Sequence, residues 1–306
     1  MISNHIPKLL LLLVGILVNA CNYQNALNFK QDEKVVFLGN AFFENAFENG
    51  EIETRISLSF PDKNITFRNI GWSGDNVFAH ARTRARGGGR FGNPDDGFGI
   101  LAQQIAELKP DKIFIAYGFN ESFEDEEGLD AYSKGLNKLL EMLSKHCSEL
   151  VLISTFPMEE GFGIPAEHIK NRNQMLKKYA VATKEAAVKN GYRYIDLFTT
   201  FSQEDRYTRN GIHLSSDGYR MAAAVIANDL GLRTPVVKID SEKANEIRNT
   251  IVKKNTLFFH RWRPRNDAFV YGERKDEQRI AQEEPAQIEP FITQQEAAIQ
   301  SLLMEL

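Results

Sequence analysis

Short apolar runs alternate along this chain with longer amphipathic stretches. Residues 34–39 (KVVFLG), 64–71 (NITFRNIG), 111–118 (DKIFIAYG), 149–156 (ELVLISTF) and 192–198 (YRYIDLF) have the length and the β-branched or aromatic content of strands. Residues 42–60, 98–108, 129–146, 168–190 and 215–231 read as helices. In the third of these, Leu136, Leu139, Leu140 and Leu143 share one side. Gly191 is a usual helix stop and Ser215 a plausible N-cap. Five strands separated by helices predict a parallel sheet covered on both faces, a three-layer α/β sandwich with right-handed crossovers. Ligands in such sheets bind beyond the carboxyl ends of the strands. Function is therefore expected in the segments GNAFF, GWSGDN, GFNES, FPMEEG and TRNGIHL, which lie between positions 39 and 214.

After Gly231 the alternation stops. Residues 233–306 read as a charge-rich extension whose end, 289–306, forms an amphipathic helix. Its cluster FFHRWRPRN (258–266) mixes aromatics with arginines. Arginine stacking on Trp262 and the phenylalanines is expected to dock the extension onto the sandwich.

The first residues change the picture of where the protein resides. Lys8 precedes an apolar run of about ten residues, too short for a comfortable membrane span, which needs roughly 20. A positive start, an apolar centre and a small residue before a cut site describe a secretory signal over 1–20. LVNAC, ending at Cys21, resembles a bacterial lipobox, which implies lipidation of Cys21 and anchoring in the cell envelope; an ordinary signal peptide cut nearby is the alternative. Cys21 and Cys147 are the only cysteines, so a lipidated Cys21 leaves no disulfide to form. Residues 21–33 are a polar tether and 34–232 the α/β domain. The remaining composition is ordinary, 42% hydrophobic and 25% charged, and a net charge of -4 gives no reason to expect nucleic acid as a partner.

Four of the strand-end segments resemble the blocks of the SGNH, or GDSL-type, hydrolases, which cleave esters on a flavodoxin-like sandwich. The resemblance spans about residues 34–232. NIGWSGDNV matches the second block, which implies an oxyanion-hole role for the Gly74 backbone N–H. Gly118-Phe119-Asn120-Glu121 stands for the third block and puts Asn120 on the oxyanion-hole asparagine. Asn210-Gly211-Ile212-His213 stands for the Asp-x-x-His block and makes His213 the base. The first block departs from the pattern: where the family has Gly-Asp-Ser, this chain has Gly39-Asn40-Ala41. IAYGFNESFE, NGIHLSSDGY and KNTLFFHRWRPRNDAFVYGERK (254–275) are similar, more narrowly, to an atypical SGNH-like group of secreted bacterial proteins.

Those departures bear on mechanism. A covalent route needs a hydroxyl beside a base, and Ala41 offers a methyl group. An amide at 210 carries no charge and can favour the wrong imidazole tautomer; in a serine-protease triad that change costs about 10⁴ in rate. Two readings stay open. One is an ester hydrolase acting on acylated carbohydrate or another small ester by direct water attack. In it His213 is general base, and Gly74 with Asn120 holds the oxyanion. The other is a non-catalytic domain that binds a glycan or an envelope partner.

Further candidates have plainer alternatives. Ser73 is the nearest spare hydroxyl, or a turn residue. Asn40, Asp75 and Glu121 are candidate ligand-binding or acidic groups, or loop hydrogen-bond partners. Arg82, Arg84, Arg86 and Arg90 form an anion clamp, or a solvated loop. No cofactor is implied, and His80, His146, His168 and His260 lack metal-ligand spacing.

Overall fold

A computed structural model describes residues 26–83, 94–201, 206–263 and 283–306. The signal segment, Cys21 and Arg84, Arg86 and Arg90 lie outside the described residues. Five strands, β1 (Lys34–Gly39), β2 (Thr66–Asn69), β3 (Lys112–Ala116), β4 (Glu149–Ile153) and β5 (Arg193–Ile195), form one sheet in the order β2-β1-β3-β4-β5. Every pairing is parallel, and the register sets Gly39 beside Ala116 and Ala116 beside Ile153. This is the three-layer sandwich that the alternation predicts, in the strand order of flavodoxin-like folds, as the family resemblance implies.

Both faces of the sheet are buried, so its strands read as continuous apolar runs and the pleat divides them. Phe37, Phe114, Val151 and Ile153 face α1 (Ala41–Asn49), α2 (Glu51–Ser59) and the helix before the extension. Leu38, Ile113, Ile115 and Leu152 face α3 (Pro94–Leu108), α4 (Leu129–Ser144) and α5 (Ala166–Asn190). A single turn, α6 (Leu197–Thr200), follows β5, and α7 (Ser216–Asp229) closes the sandwich.

Several boundaries differ from the sequence reading. The tether expected over 21–33 belongs to the sandwich from residue 26 on: Leu27 and Phe29 are buried in its core, the Leu27 N–H donates to the Leu230 carbonyl at 2.8 Å, and Glu33 pairs with Lys112 at 2.6 Å. The helix expected over 42–60 is two helices, because Gly50 takes a left-handed φ of 65° and ends α1. The last strand stops at Ile195 because the Asp196 carboxylate accepts from the Thr199 N–H at 2.8 Å and starts α6. The extension contains a long helix, α8 (Glu242–Trp262), in addition to the terminal α9 (Glu289–Met304). Ser241 caps α8 by accepting from the Ala244 N–H at 3.2 Å.

The extension covers the edge of the sheet. Ile247 and Ile251 of α8 pack with Ile299 and Leu303 of α9 and with Leu58 of α2. Lys254 pairs with Glu53 and donates to the Phe67 carbonyl of edge strand β2 at 3.3 Å. Arg68 of β2 pairs with Glu296 of α9 and lies 5.3 Å from the Phe258 ring centroid. An edge strand left open invites pairing with other chains; here α8 and α9 occupy that side. The aromatic cluster docks as expected, but partly through different partners: Phe258 stacks on Trp262 at 5.9 Å, Phe259 on Phe47 at 4.7 Å, and Arg263 on Trp72 at 4.2 Å. Residues 264–266 of the cluster are outside the described residues. Among the described residues no helix is long and apolar enough to cross a membrane.

Candidate active site

A cleft opens beyond the carboxyl ends of β1, β3 and β4, where strand order changes direction. It encloses about 540 Å³, counting its open mouth. Asn40, Ala41, Asn120 and His213, four of the residues expected from sequence, line it together. Phe42, Phe119, Phe156, Leu214 and Tyr219 make its apolar walls, and among the described residues no Lys, Arg, Asp or Glu lines it.

The turn after β1 is fixed by close packing. A Cβ on Gly39 would stand 2.4 Å from the Ala116 carbonyl oxygen, so only glycine lets β1 and β3 meet there. Asn40 is buried, and its side-chain oxygen accepts from the Phe42 N–H at 3.1 Å as the N-cap of α1. Its side chain is therefore a helix cap more than a ligand contact. Ala41 is the first residue of α1 and presents only its methyl group.

His213 is held by a dense loop. The Glu159 carboxylate accepts from the backbone N–H groups of Tyr207 at 2.7 Å and Thr208 at 2.9 Å. The Arg209 N–H donates to the His213 carbonyl at 2.8 Å. The Asn210 side-chain oxygen accepts from the N–H groups of Ile212 at 3.2 Å and His213 at 2.8 Å. Those two donors cannot be reversed, so they fix the amide orientation. Its nitrogen then faces the His213 Nδ1 at 3.1 Å. An amide nitrogen only donates, so Nδ1 accepts and the neutral ring carries its proton on Nε2. A triad carboxylate does the opposite, holding the proton on Nδ1 and leaving Nε2 as base. Burial, together with Arg209, holds the His213 pKa below its ordinary value.

The second and third blocks are tied beneath this cleft. Asp75 is fully buried; its carboxylate accepts from Arg82 Nε at 2.9 Å, the Tyr117 hydroxyl at 2.9 Å and the Ala81 N–H at 3.1 Å. Its backbone carbonyl accepts from Asn120 Nδ2 at 2.7 Å. Arg82 is buried too, and also donates to the Ile70 carbonyl at 2.8 Å and to Gln104 at 3.1 Å. The anion clamp is therefore corrected for Arg82, whose guanidinium is consumed inside the fold. Asp75 and Glu121 do not line the cleft. Glu121 accepts from the N–H groups of Val77 and Gly118, each at 2.8 Å, and burial pushes its carboxyl up to about 7. Both acids shape the loops that carry Gly74 and Asn120.

Gly74 sits in an exposed turn with φ 81° and is not one of the residues lining the cleft. Ser73 is committed elsewhere: its N–H and hydroxyl both donate to Glu44, at 2.7 and 2.9 Å. Glu44 also pairs with Arg263, whose guanidinium covers Trp72. The extension thus holds the turn before Gly74 through one carboxylate. Arg263→Ala is expected to speed amide hydrogen exchange at Ser73 and its neighbours while the sheet stays protected. Unchanged exchange there would mean that Glu44 holds the turn alone.

Ser154 and Thr155 line the cleft beside Phe156, the first residue of FPMEEG, but were not themselves singled out from sequence. The signal was present, since they directly follow β4. Neither hydroxyl is placed as a nucleophile: Ser154 donates to the Thr155 carbonyl at 2.8 Å, and Thr155 to the Leu176 carbonyl at 3.1 Å. Cys147 is buried away from the cleft, its thiol pushed up to about 11 by burial. Among the described residues no group of three His, Cys, Asp or Glu side chains could hold a metal ion.

Solved structures share this architecture. An acetylxylan esterase from Geobacillus stearothermophilus, Axe2, is 17% identical with a TM-score of 0.51, over 68% of this chain and 98% of its own. A catalytic mutant of the same esterase gives a TM-score of 0.52 at 16% identity, over 69% of this chain and 100% of its own. A gut microbial diltiazem-metabolizing enzyme is 18% identical with a TM-score of 0.51, over 68% of this chain and 49% of its own. At such identities the likeness is one of fold. Among curated proteins none matches. The GDSL-like Lipase/Acylhydrolase family matches residues 48–221, more than half of the sequence, and the chain belongs to that family.

Proposed function

We propose that this chain is a GDSL-family domain that recognises an acylated carbohydrate or another small ester without the serine-triad turnover of an acylhydrolase. The observation that carries this reading is the Asn210 amide donating toward His213 Nδ1, which takes the base away from Nε2. The methyl of Ala41 in the nucleophile's place points the same way. Direct water attack with His213 as general base remains the competing scheme; it needs the lone pair that this amide opposes. The acetylxylan esterases similar in fold act, by their names, on an acetylated glycan, and the cleft, whose described lining residues are mostly apolar and carry no charged side chain, suits a short acyl group.

Wild-type protein and His213→Ala are expected to differ little on a panel of acetyl and aryl esters, both near background. Strong wild-type turnover that is lost in His213→Ala would replace the recognition reading by the water-attack scheme.

The same proposal places the domain at the bacterial cell envelope, lipid-anchored through Cys21, on the strength of LVNAC. Cys21→Ser is expected to release the protein from membranes or block its maturation. A mutant that stays membrane-bound and is processed at the same site would remove the lipoprotein assignment.

A further inference from the structure

The His213 loop raises a question that the loss of the triad does not answer. An Asn at 210 could have left the imidazole without a partner; instead three hydrogen bonds organise the pair. The Asn210 oxygen is anchored by the N–H groups of Ile212 and His213, and its nitrogen stands 3.1 Å from Nδ1. With Nδ1 accepting, the remaining ring nitrogen of this cleft-lining residue is an N–H donor. A second donor lies in the same wall. Asn120 Nδ2 gives one N–H to the Asp75 carbonyl at 2.7 Å, and an amide carries two. That amide is held in place from below, because Asp75 is buried and bonded to Arg82 and Tyr117.

The ligand chemistry follows from what these donors lack. Among the described residues no charged side chain lines the cleft, and its walls are largely apolar. Bringing a carboxylate into such a site would strip its water with no cation among the described lining residues in return. A neutral carbonyl oxygen needs only hydrogen-bond donors and loses far less hydration. We infer that His213 is a fixed hydrogen-bond donor, through Nε2–H, to the neutral carbonyl oxygen of an intact acyl group, with Asn120 as its companion. This rests on the recognition reading above and names the group recognised. A protonated ring would set an Nδ1–H against the amide N–H, which agrees with the low pKa that burial and Arg209 give the residue.

The test reads the tautomer and the ligand separately. Long-range nitrogen–proton correlation spectra of ¹⁵N-labelled protein show which ring nitrogen carries the proton, with His213→Ala identifying the signals. The proton is expected on Nε2 in the wild type at neutral pH, and on Nδ1 in Asn210→Asp. Titration with methyl tri-O-acetyl-xyloside is expected to shift the Nε2–H signal, and sodium acetate to leave it unmoved. Removing one such hydrogen bond in His213→Ala is expected to weaken glycoside binding about tenfold. A wild-type proton on Nδ1 overturns the inference; if the glycoside still binds, the recognition reading survives it. Preference for acetate, or no response to the glycoside, overturns the ligand assignment even when Nε2 carries the proton.

Discussion

Changing Ala41 to Ser together with Asn210 to Asp is expected to convert this chain into a measurable aryl acetate esterase, about 10²–10⁴-fold above the wild type. The scale comes from triads, in which a single lost member costs about 10⁴ and the losses do not add. Each change is one group. A hydroxyl at 41 would stand at the head of α1, on a turn already fixed by the Gly39–Ala116 contact and the Asn40 cap. A carboxylate at 210 can keep accepting from the Ile212 and His213 N–H groups with one oxygen. Its other oxygen then accepts from Nδ1–H, which moves the ring proton and opens Nε2 as base. Serine alone would lack a base, and aspartate alone would lack a nucleophile. Either single mutant is therefore expected to gain little, and the double-mutant cycle to show strong coupling. Adding His213→Ala should return the rate to background. A folded double mutant with no gain would mean that the hydroxyl introduced by Ala41→Ser and the His213 ring do not come within reach of each other.

The parts of this site that were legible in the sequence share one property: they follow strands. Asn40, Ala41, Asn120 and His213 stand after apolar runs, and a parallel sheet brings such segments together whatever their separation along the chain. What stayed hidden depends on hydrogen-bond partners that only the folded loops bring into place. Arg82 reads as one more arginine of a glycine-rich loop until Asp75, Ile70 and Gln104 surround it. Ser73 reads as a spare hydroxyl until Glu44 of α1 takes both its donors. The amide–imidazole polarity was only half visible. The Asn at 210 is plain, but its orientation depends on two backbone N–H groups that the folded loop supplies. Helix α8 was obscured by its charge, although Ala244, Ile247, Ile251 and Phe258 recur at helical spacing along its buried side. Its Lys254 is the reason the pattern fails, since an ammonium group occupies a core position there.

That lysine leads to the second large effect expected here. Lys254→Ala should lower the melting temperature by on the order of 10 °C, because removing one partner of a buried pair typically costs about 3–5 kcal/mol. Lys254 and Glu53 are 1% and 5% exposed, and burial pushes the carboxyl up and the ammonium down. Without the lysine, Glu53 keeps the Asn255 amide, 3.0 Å away, and must either protonate or remain a buried charge without its cation. The loss should not stay local. Lys254 also donates to the Phe67 carbonyl of β2, and Arg68 on the same strand reaches α9. Truncation after Val237 would remove α8 and α9 altogether and uncover Leu58, the β2 edge and Glu53 at once. It is expected to destabilise the sandwich more than Lys254→Ala does, and to favour association through the open edge. Restoring the packing without the charge, as Glu53→Gln with Lys254→Met, should recover much of the Lys254→Ala loss, since a buried ion pair often contributes little beyond well-packed neutral groups. Equal melting of the truncated and full-length proteins would separate the extension from the stability of the sandwich, and the Glu44–Arg263 link to the turn before Gly74 would then lose its structural support.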